Sequence, residues 1–399
     1  MRFFISIVIA LSVGPISWGH GDHRPTSAPK VIELKVEPKE QSEQNQTLKT
    51  ANTDPMFEVI GPAQDGSRLI KFLGGYDTVS FATKLTCGPS FCVSCQKGCS
   101  LRKESAGCRF CSTGRLPFDG SIEAKEIAQQ VEVAMSVSNE HEAPRFRVVF
   151  AGMGDSSYNA EGVVGAMELI QKKHPNQEID FVIATVGSPI DKFRHLQNTV
   201  LKAFEDGKLK KGTRIYPQLS LHSSDDKKRG FLIPPAKDMT VKQVIEEGVS
   251  FVEKLRPWVG QNVSEAGYPD NLRLTLNYLM MGGLGRQFDG NATQDDLNKL
   301  ESLVKEIGPN DLIVRLSAYN PDRKDGGYQF EVAPSEVYQE WAAHLRKEGI
   351  SVRIFQSEAT EIRGGCGQMV NTKWDSPANK KAAMCLHFYK MGSGVCATP

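Results

Sequence analysis

The chain alternates short β-branched apolar runs with stretches whose apolar positions recur at helical spacing, beginning near residue 56. RVVFAGMGD, ending at Asp155, precedes EGVVGAMELIQKK (161–173), where Val163, Met167 and Ile170 fall on one helical face. FVIATVG (181–187) leads to a helical stretch over 190–206, and YPQLSLHS (216–223) to one over 239–256. LRLTLNYLM (272–280) leads to 294–307, where Leu297, Leu300, Val304 and Ile307 form a stripe closed by Gly308. DLIVRLSAYN (311–320) is followed by a helix opening near Pro334, carrying Val337, Trp341 and Leu345 and stopped by Gly349, then by the strand SVRIF (351–355). Strand and helix in regular alternation predict a parallel sheet, and about six such units predict an α/β fold built as a partial (β/α)6 barrel. The strands read as nearly continuous apolar runs, which predicts cover on both faces. In such folds the chemistry sits at the carboxyl ends of the strands, which draws attention to Gly154 and Asp155, to Ser220, Leu221 and His222, and to Asn320.

The first residues break this pattern. MRFFISIVIALSVGPISWG (1–19) has one early Arg, an apolar run and then small residues, the layout of a secretory leader, and is too short to span a bilayer. Residues 20–55, rich in Gln, Glu, Lys, Pro and Thr with only VIELKV (31–36) of strand character, read as a disordered linker. A folded domain over 56–399 then follows. The 48 Lys and Arg nearly cancel the 47 Asp and Glu among 399 residues, so no global field draws the chain to nucleic acid or to an anionic membrane. Any RNA contact must come from local patches such as KLKKGTR (208–214). GGLGRQFDG (282–290) lacks the strand-turn-helix context of a phosphate loop and reads as a turn.

Of nine cysteines, five fall between residues 92 and 114, in CVSCQKGCSLRKESAGCRFCSTG. Cys92 and Cys95 with Cys108 and Cys111 have the paired spacing of a zinc knuckle. An exported protein would use them in disulfides, although an odd count and a large α/β domain argue against that. Cys99, Cys108 and Cys111 are also three thiolates suited to a four-iron, four-sulfur cluster with one open iron.

Several motifs occur in a fixed order. Besides the cysteine segment there are GMGDSSYN (152–159), LSLHSSDDKKRGFLIP (219–234), AYNP (318–321) and GGCGQM (364–369). Together, over residues 66 to 370, they resemble the radical SAM adenosine C2 methyltransferases of the RlmN/Cfr type. That family places three residues between its first two cluster cysteines; here eight, SLRKESAG, separate Cys99 from Cys108. Asp155 stands where the family has Glu, Ala184 where it usually has a hydroxyl, and the leader and linker stand where it has a helical RNA-engaging module.

The resemblance implies a chemistry. Cys99, Cys108 and Cys111 would hold the 4Fe-4S cluster, and S-adenosyl-L-methionine (SAM) would bind its open iron, bordered by Gly154, Asp155, Ser220, Leu221, His222 and Asn320. Cys366 would accept a methyl group from one SAM, and a radical from a second would activate that group for addition to an adenine carbon that ordinary methyl transfer cannot reach. Cys92 would resolve the adduct by closing a disulfide with Cys366, and Asp77 would accept a proton. An RNA substrate such as rRNA or tRNA, a cytosolic electron donor and a monomeric enzyme away from membranes follow from the same likeness; a relative acting on another substrate is the alternative. Low-potential chemistry favours the cytosol, in conflict with the export-like leader. Taken alone, Cys366 is a buried small hydrophobe by default, but its GGCGQ setting predicts an exposed, mobile loop.

Overall fold

The computed structural model describes residues 57–81, 88–104, 107–259, 272–321 and 328–371, all within the unit spanning Asn45–Pro399. The leader, the linker and Cys87, Cys385 and Cys396 lie outside the described residues.

One ten-stranded sheet organises them, with strand order following chain order. β1 (Phe57–Ile60), β2 (Arg68–Phe72), β3 (Tyr76–Phe81) and β4 (Ser90–Val93) pair antiparallel in succession. From β4 onward every pairing is parallel, through β5 (Arg145–Phe150), β6 (Glu178–Thr185), β7 (Arg214–Ser220), β8 (Leu274–Met280), β9 (Leu312–Ala318) and β10 (Val352–Phe355).

After the short turn α1 (Leu101–Glu104), the crossings run through α2 (Ala124–Ser138), α3 (Ala160–Lys173), α4 (Ile190–Glu205), α5 (Asp226–Leu232), α6 (Val241–Leu255), α7 (Gln294–Ile307) and α8 (Ser335–Lys347). Each helix starts where its residues allow. Thr240 and Thr293 accept from the third helical N–H and are bonded back by Gln243 and Asp296, closing capping boxes on α6 and α7. Gly308, at φ 132°, ends α7 where the periodicity predicted. α2 packs on α3, α3 on α4, α4 on α6 and α6 on α7, so the helices form one layer.

The sheet curls. Cys92 on β4 and Arg315 on β9 interact electrostatically, yet five strands apart in a flat sheet they would be about 24 Å from each other. This is the expected partial (β/α)6 barrel, widened at one edge by three antiparallel strands that the periodicity did not announce.

The strands differ from expectation in one respect. The helix-facing side is apolar and fully buried, with Phe146, Val148 and Phe150 on β5 and Leu312, Val314 and Leu316 on β9. The other side carries half-buried polar residues, among them Arg147, Tyr216, Asn277, Arg315 and Arg353. Sequential winding leaves that face to line the interior instead of meeting a second helix layer. Asp180, fully buried on β6, holds Arg145 Nη2 and Arg214 Nε, each at 2.7 Å, near the amino ends of the strands.

Candidate active site

The cysteine loop leaves the carboxyl end of β4. Part of the longer spacer SLRKESAG winds into α1, and Gly107, at φ 72°, turns the chain back so that its Cα passes close to Gly114. Residues 102–104 of the spacer thus form part of a helical turn. Cys99 and Cys108 are buried in an apolar cluster with Leu232, Ile233, Phe288 and Phe330, and Phe110 and Cys111 pack against it. Burial pushes all three thiols up; Cys99 and Cys108 are raised further by each other, directly or through Cys111. Cys111 acts on Cys99, and both act on Cys108, at the end of the sheet where β4 finishes. Among the described residues no three Cys, His, Asp or Glu side chains converge as ligands of one metal ion, and all six described cysteines are free thiols. Cys95, a member of the zinc pattern, sits in the main core beside Met153, with its carbonyl held by Asn159 Nδ2 at 2.8 Å.

These thiols fit an iron–sulfur cluster by two observations. They form a soft donor set kept from water, and a buried guanidinium nitrogen, Arg229 Nη1, has no partner in the same neighbourhood.

The GMGD turn supports the loop. Gln96 Oε1 accepts from Ser100 N at 3.1 Å, Ser100 Oγ at 3.0 Å and Asp155 N at 3.3 Å. Gly154, at φ 101°, is needed there, because a Cβ would lie 2.6 Å from the Gln96 side chain. Asp155 Oδ1 accepts from Ser157 N, Ser157 Oγ and Thr185 Oγ1, and Oδ2 from Val186 N at 2.8 Å. Burial nonetheless pushes its carboxyl up. With four donors already engaged, one lone pair of Oδ2 is left for anything else.

Ser220 ends β7 half-buried, while the Leu221 side chain is fully buried in the core. His222 adopts φ 58°, and its Nδ1 accepts from Leu279 N at 3.0 Å, so the ring proton sits on Nε2. Burial, aided by Arg229, lowers its pKa to about 3, which keeps it neutral. Its ring meets the edge of Phe110 in the cysteine loop at 4.7 Å.

Cys366 is exposed, on a loop that is tied down at several points. Ser112 N donates to Gly367 O at 2.8 Å, Thr113 Oγ1 to Met369 O at 2.7 Å, and Asn320 Nδ2 to Cys366 O at 3.1 Å. Gly364 and Gly365 are buried, and a Cβ on either would strike Ala359 or Gln368. The glycine-rich stretch is closely packed, and Cys366 is exposed. Asn320 Nδ2 also donates to Ser357 Oγ at 2.8 Å, so its amide positions this loop.

Cys92 and Cys366 act on each other electrostatically, and both act on Arg315. Burial, then Cys366, pushes the Cys92 thiol up to about 12. Arg315 Nη1 donates to Gln218 Oε1 at 2.9 Å, and its guanidinium lies 3.6 Å from the Phe355 ring centroid. Asp77 pairs with Lys71 Nζ at 3.0 Å, which also donates to Val370 O at 2.7 Å, linking Asp77 to the Cys366 loop. Burial outweighs Lys71 and raises the Asp77 carboxyl. Asp77 shares a sheet face with Val79, whose register partner is Cys92.

The sequence reading missed Gln96, Arg229, Lys71 and Arg315. Gln96 and Arg229 stood inside motifs already quoted; the lone Arg within the apolar run DLIVRLSAYN was the signal for Arg315.

The fold is a curled parallel sheet with a three-thiol loop at the carboxyl end of its first parallel strand. A radical SAM methyltransferase from Sphaerobacter thermophilus has that fold in its crystal structure, matching with a TM-score of 0.59 at 20% identity over 79% of this chain and 81% of that one. In sequence the chain is similar to RlmN-type RNA methyltransferases, as its motifs implied. A probable RNA methyltransferase of Thiobacillus denitrificans is 28% identical over 309 residues, 77% of this chain and 71% of its own. The dual-specificity RNA methyltransferase RlmN of a Marinomonas species is 26% identical over 337 residues, 80% and 79% respectively. No protein-family model matches the chain. Among the described residues no helix is long and apolar enough to cross a membrane.

Proposed function

We propose that this chain is a radical SAM methyltransferase that carries a methyl group on Cys366 and delivers it to an adenine carbon of RNA. The observation that supports the reading is the electrostatic influence of Cys366 on Cys92, 274 residues away in sequence, with the Cys366 loop bonded to the three-thiol loop through Ser112 N and Thr113 Oγ1.

Cys99, Cys108 and Cys111 would hold a 4Fe-4S cluster, which with SAM supplies the electron and the hydrogen-atom abstraction that an unreactive carbon requires. The protein's own part is positional. Cys366 is the exposed thiol and accepts the methyl group. Cys92, buried and protonated at neutral pH, is the resolving thiol: once a base has taken its proton, its sulfur bonds to the Cys366 sulfur as the bond from that sulfur to the transferred carbon breaks and the product leaves. Asp77, raised by burial, is better matched than an ordinary carboxylate to taking a proton near neutral pH.

The Gly154–Asp155 turn, Ser220, Leu221 and His222 border the SAM site, and Asn320 acts by holding the Cys366 loop. RNA is the substrate class because the relatives named above are RNA methyltransferases, and Arg147, Arg315 and Arg353 on the interior face favour an anionic partner. A low-potential electron donor, a monomeric state and the cytosol belong to the same proposal.

The test is anaerobic purification of the full chain with iron and sulfide analysis, then low-temperature electron paramagnetic resonance with and without SAM. A cluster signal perturbed by SAM, followed by methyl transfer from labelled SAM to adenine in RNA, is expected. A protein without iron that binds zinc instead would remove the proposal.

A further inference from the structure

Arg229 on α5 is 1% exposed, yet no carboxylate is bonded to it. Its Nε donates to Leu221 O at 3.2 Å and its Nη2 to Val186 O at 2.6 Å, while Nη1 is buried without a partner. Burial lowers its pKa only to about 10, so it remains a cation at neutral pH. A buried cation with a donor left over is costly unless something anionic completes it.

What lies nearby is the cysteine loop. Arg109 N donates to Leu232 O at 3.0 Å, which fastens the loop to α5, and Cys108 shares an apolar cluster with Leu232 and Ile233. Arg229 and Cys108 act on each other electrostatically; Asp226 acts on Arg229 more weakly than Cys108 does. Of the other basic side chains there, His222 is neutral, and the Arg109 guanidinium lies over the Phe231 ring at 4.0 Å. Arg229 is thus a fixed positive charge that acts on Cys108, while Arg115 acts on Cys111 of the same set.

We propose that Arg229 is a counter-cation of the Cys99, Cys108 and Cys111 site, raising the reduction potential of a cluster bound there. The inference rests on the cluster reading above. Three thiolates make the loaded site anionic, and reduction adds one more negative charge without adding a proton. A fixed cation in a dry pocket therefore favours the reduced state over the oxidised one. As Arg229 touches neither substrate nor reacting atoms, it is a positioning residue, and its mark is a potential.

The experiment uses the full chain, purified anaerobically as wild type, Arg229→Gln and Arg229→Lys, with iron content and circular dichroism recorded first. Potentiometric titration followed by electron paramagnetic resonance is expected to place the Gln variant at a more negative midpoint, with the ratio of reduced to oxidised cluster at the wild-type midpoint down about tenfold, a shift of about 59 mV for one electron. The Lys variant should fall between the two. Equal midpoints for wild type and Gln would overturn the proposal.

Should the Gln variant fail to fold, pulsed resonance on reduced wild type grown with 15N-arginine decides the matter. A nitrogen hyperfine coupling to the cluster is expected, and its absence overturns the proposal. A wild type that never loads iron overturns the cluster reading, and this inference with it, whereas a loaded cluster with no arginine coupling overturns this inference alone.

Discussion

The side-chain amide of Asn320, at the carboxyl end of β9, donates to the backbone carbonyl of Cys366 at 3.1 Å and so fixes the exposed cysteine against the barrel rim. The same nitrogen reaches Ser357 Oγ. Asn320→Ala removes both bonds, at a cost of about 1–3 kcal/mol to the loop. Hydrogen exchange read by mass spectrometry should show faster exchange over 364–369 with the amides of β9 unchanged. Unchanged exchange in the loop would mean that Ser112 and Thr113 suffice to hold it.

The two meeting thiols should differ in reactivity. Cys366 is exposed and should be alkylated readily in the native protein. Cys92, pushed up to about 12, holds only about one thiolate in ten thousand at pH 8. Its labelling by iodoacetamide, followed on the Cys92 peptide, should rise about tenfold per pH unit from 7 to 9 with no plateau. A plateau near pH 8 would show that Cys92 is not the desolvated thiol described.

His222 makes stability depend on pH. Its folded pKa of about 3 lies below its ordinary value of 6.5, so on acidification the unfolded chain takes up a proton that the native state refuses. The stability it contributes is present above about pH 6.5 and is lost as the pH falls toward 3. Urea midpoints should fall between pH 7 and pH 5 by the equivalent of about 2 kcal/mol from this residue, and His222→Gln should flatten that slope. An equal slope in both proteins would place the titration elsewhere.

Much of this architecture could be read in advance because its signals are local. The α7 stripe of Leu297, Leu300, Val304 and Ile307 closed by Gly308 matched the structure residue for residue; β8, β9 and β10 lie within their apolar runs, and β5, β6 and β7 overlap theirs but start two or three residues earlier. The β1 to β3 extension did not show, because YDTVSF and RLIKF are short and their partners are set by antiparallel register instead of by a flanking helix. Interior polarity was missed for a similar reason. Apolar runs such as DLIVRLSAYN reveal the helix-facing side, whereas the role of Arg315 depends on curvature, which no single strand encodes. At the site, motif order gave the thiols. The facts that Asp155 is already bonded by its neighbours and that Asn320 holds a loop are properties of distant contacts, invisible to spacing.

Gly98 precedes the first cysteine of the three-thiol set and has φ 71°, and a Cβ there would lie 2.1 Å from Pro117 O. Both the conformation and the backbone contact forbid a side chain. Gly98→Ala should cost about 2 kcal/mol or more, read by urea denaturation, and should lower iron loading in the anaerobically purified chain. Iron content and stability equal to wild type would show that the loop can be rebuilt without this turn.

The central claim is that Cys366 carries the transferred methyl group, and the direct measurement is the mass of its peptide. The full chain, reduced and given SAM without RNA, should yield a Cys366 peptide bearing one added methyl group on sulfur, with Cys92 unmodified. A chain that binds a cluster and cleaves SAM while Cys366 stays unmethylated would contradict the account.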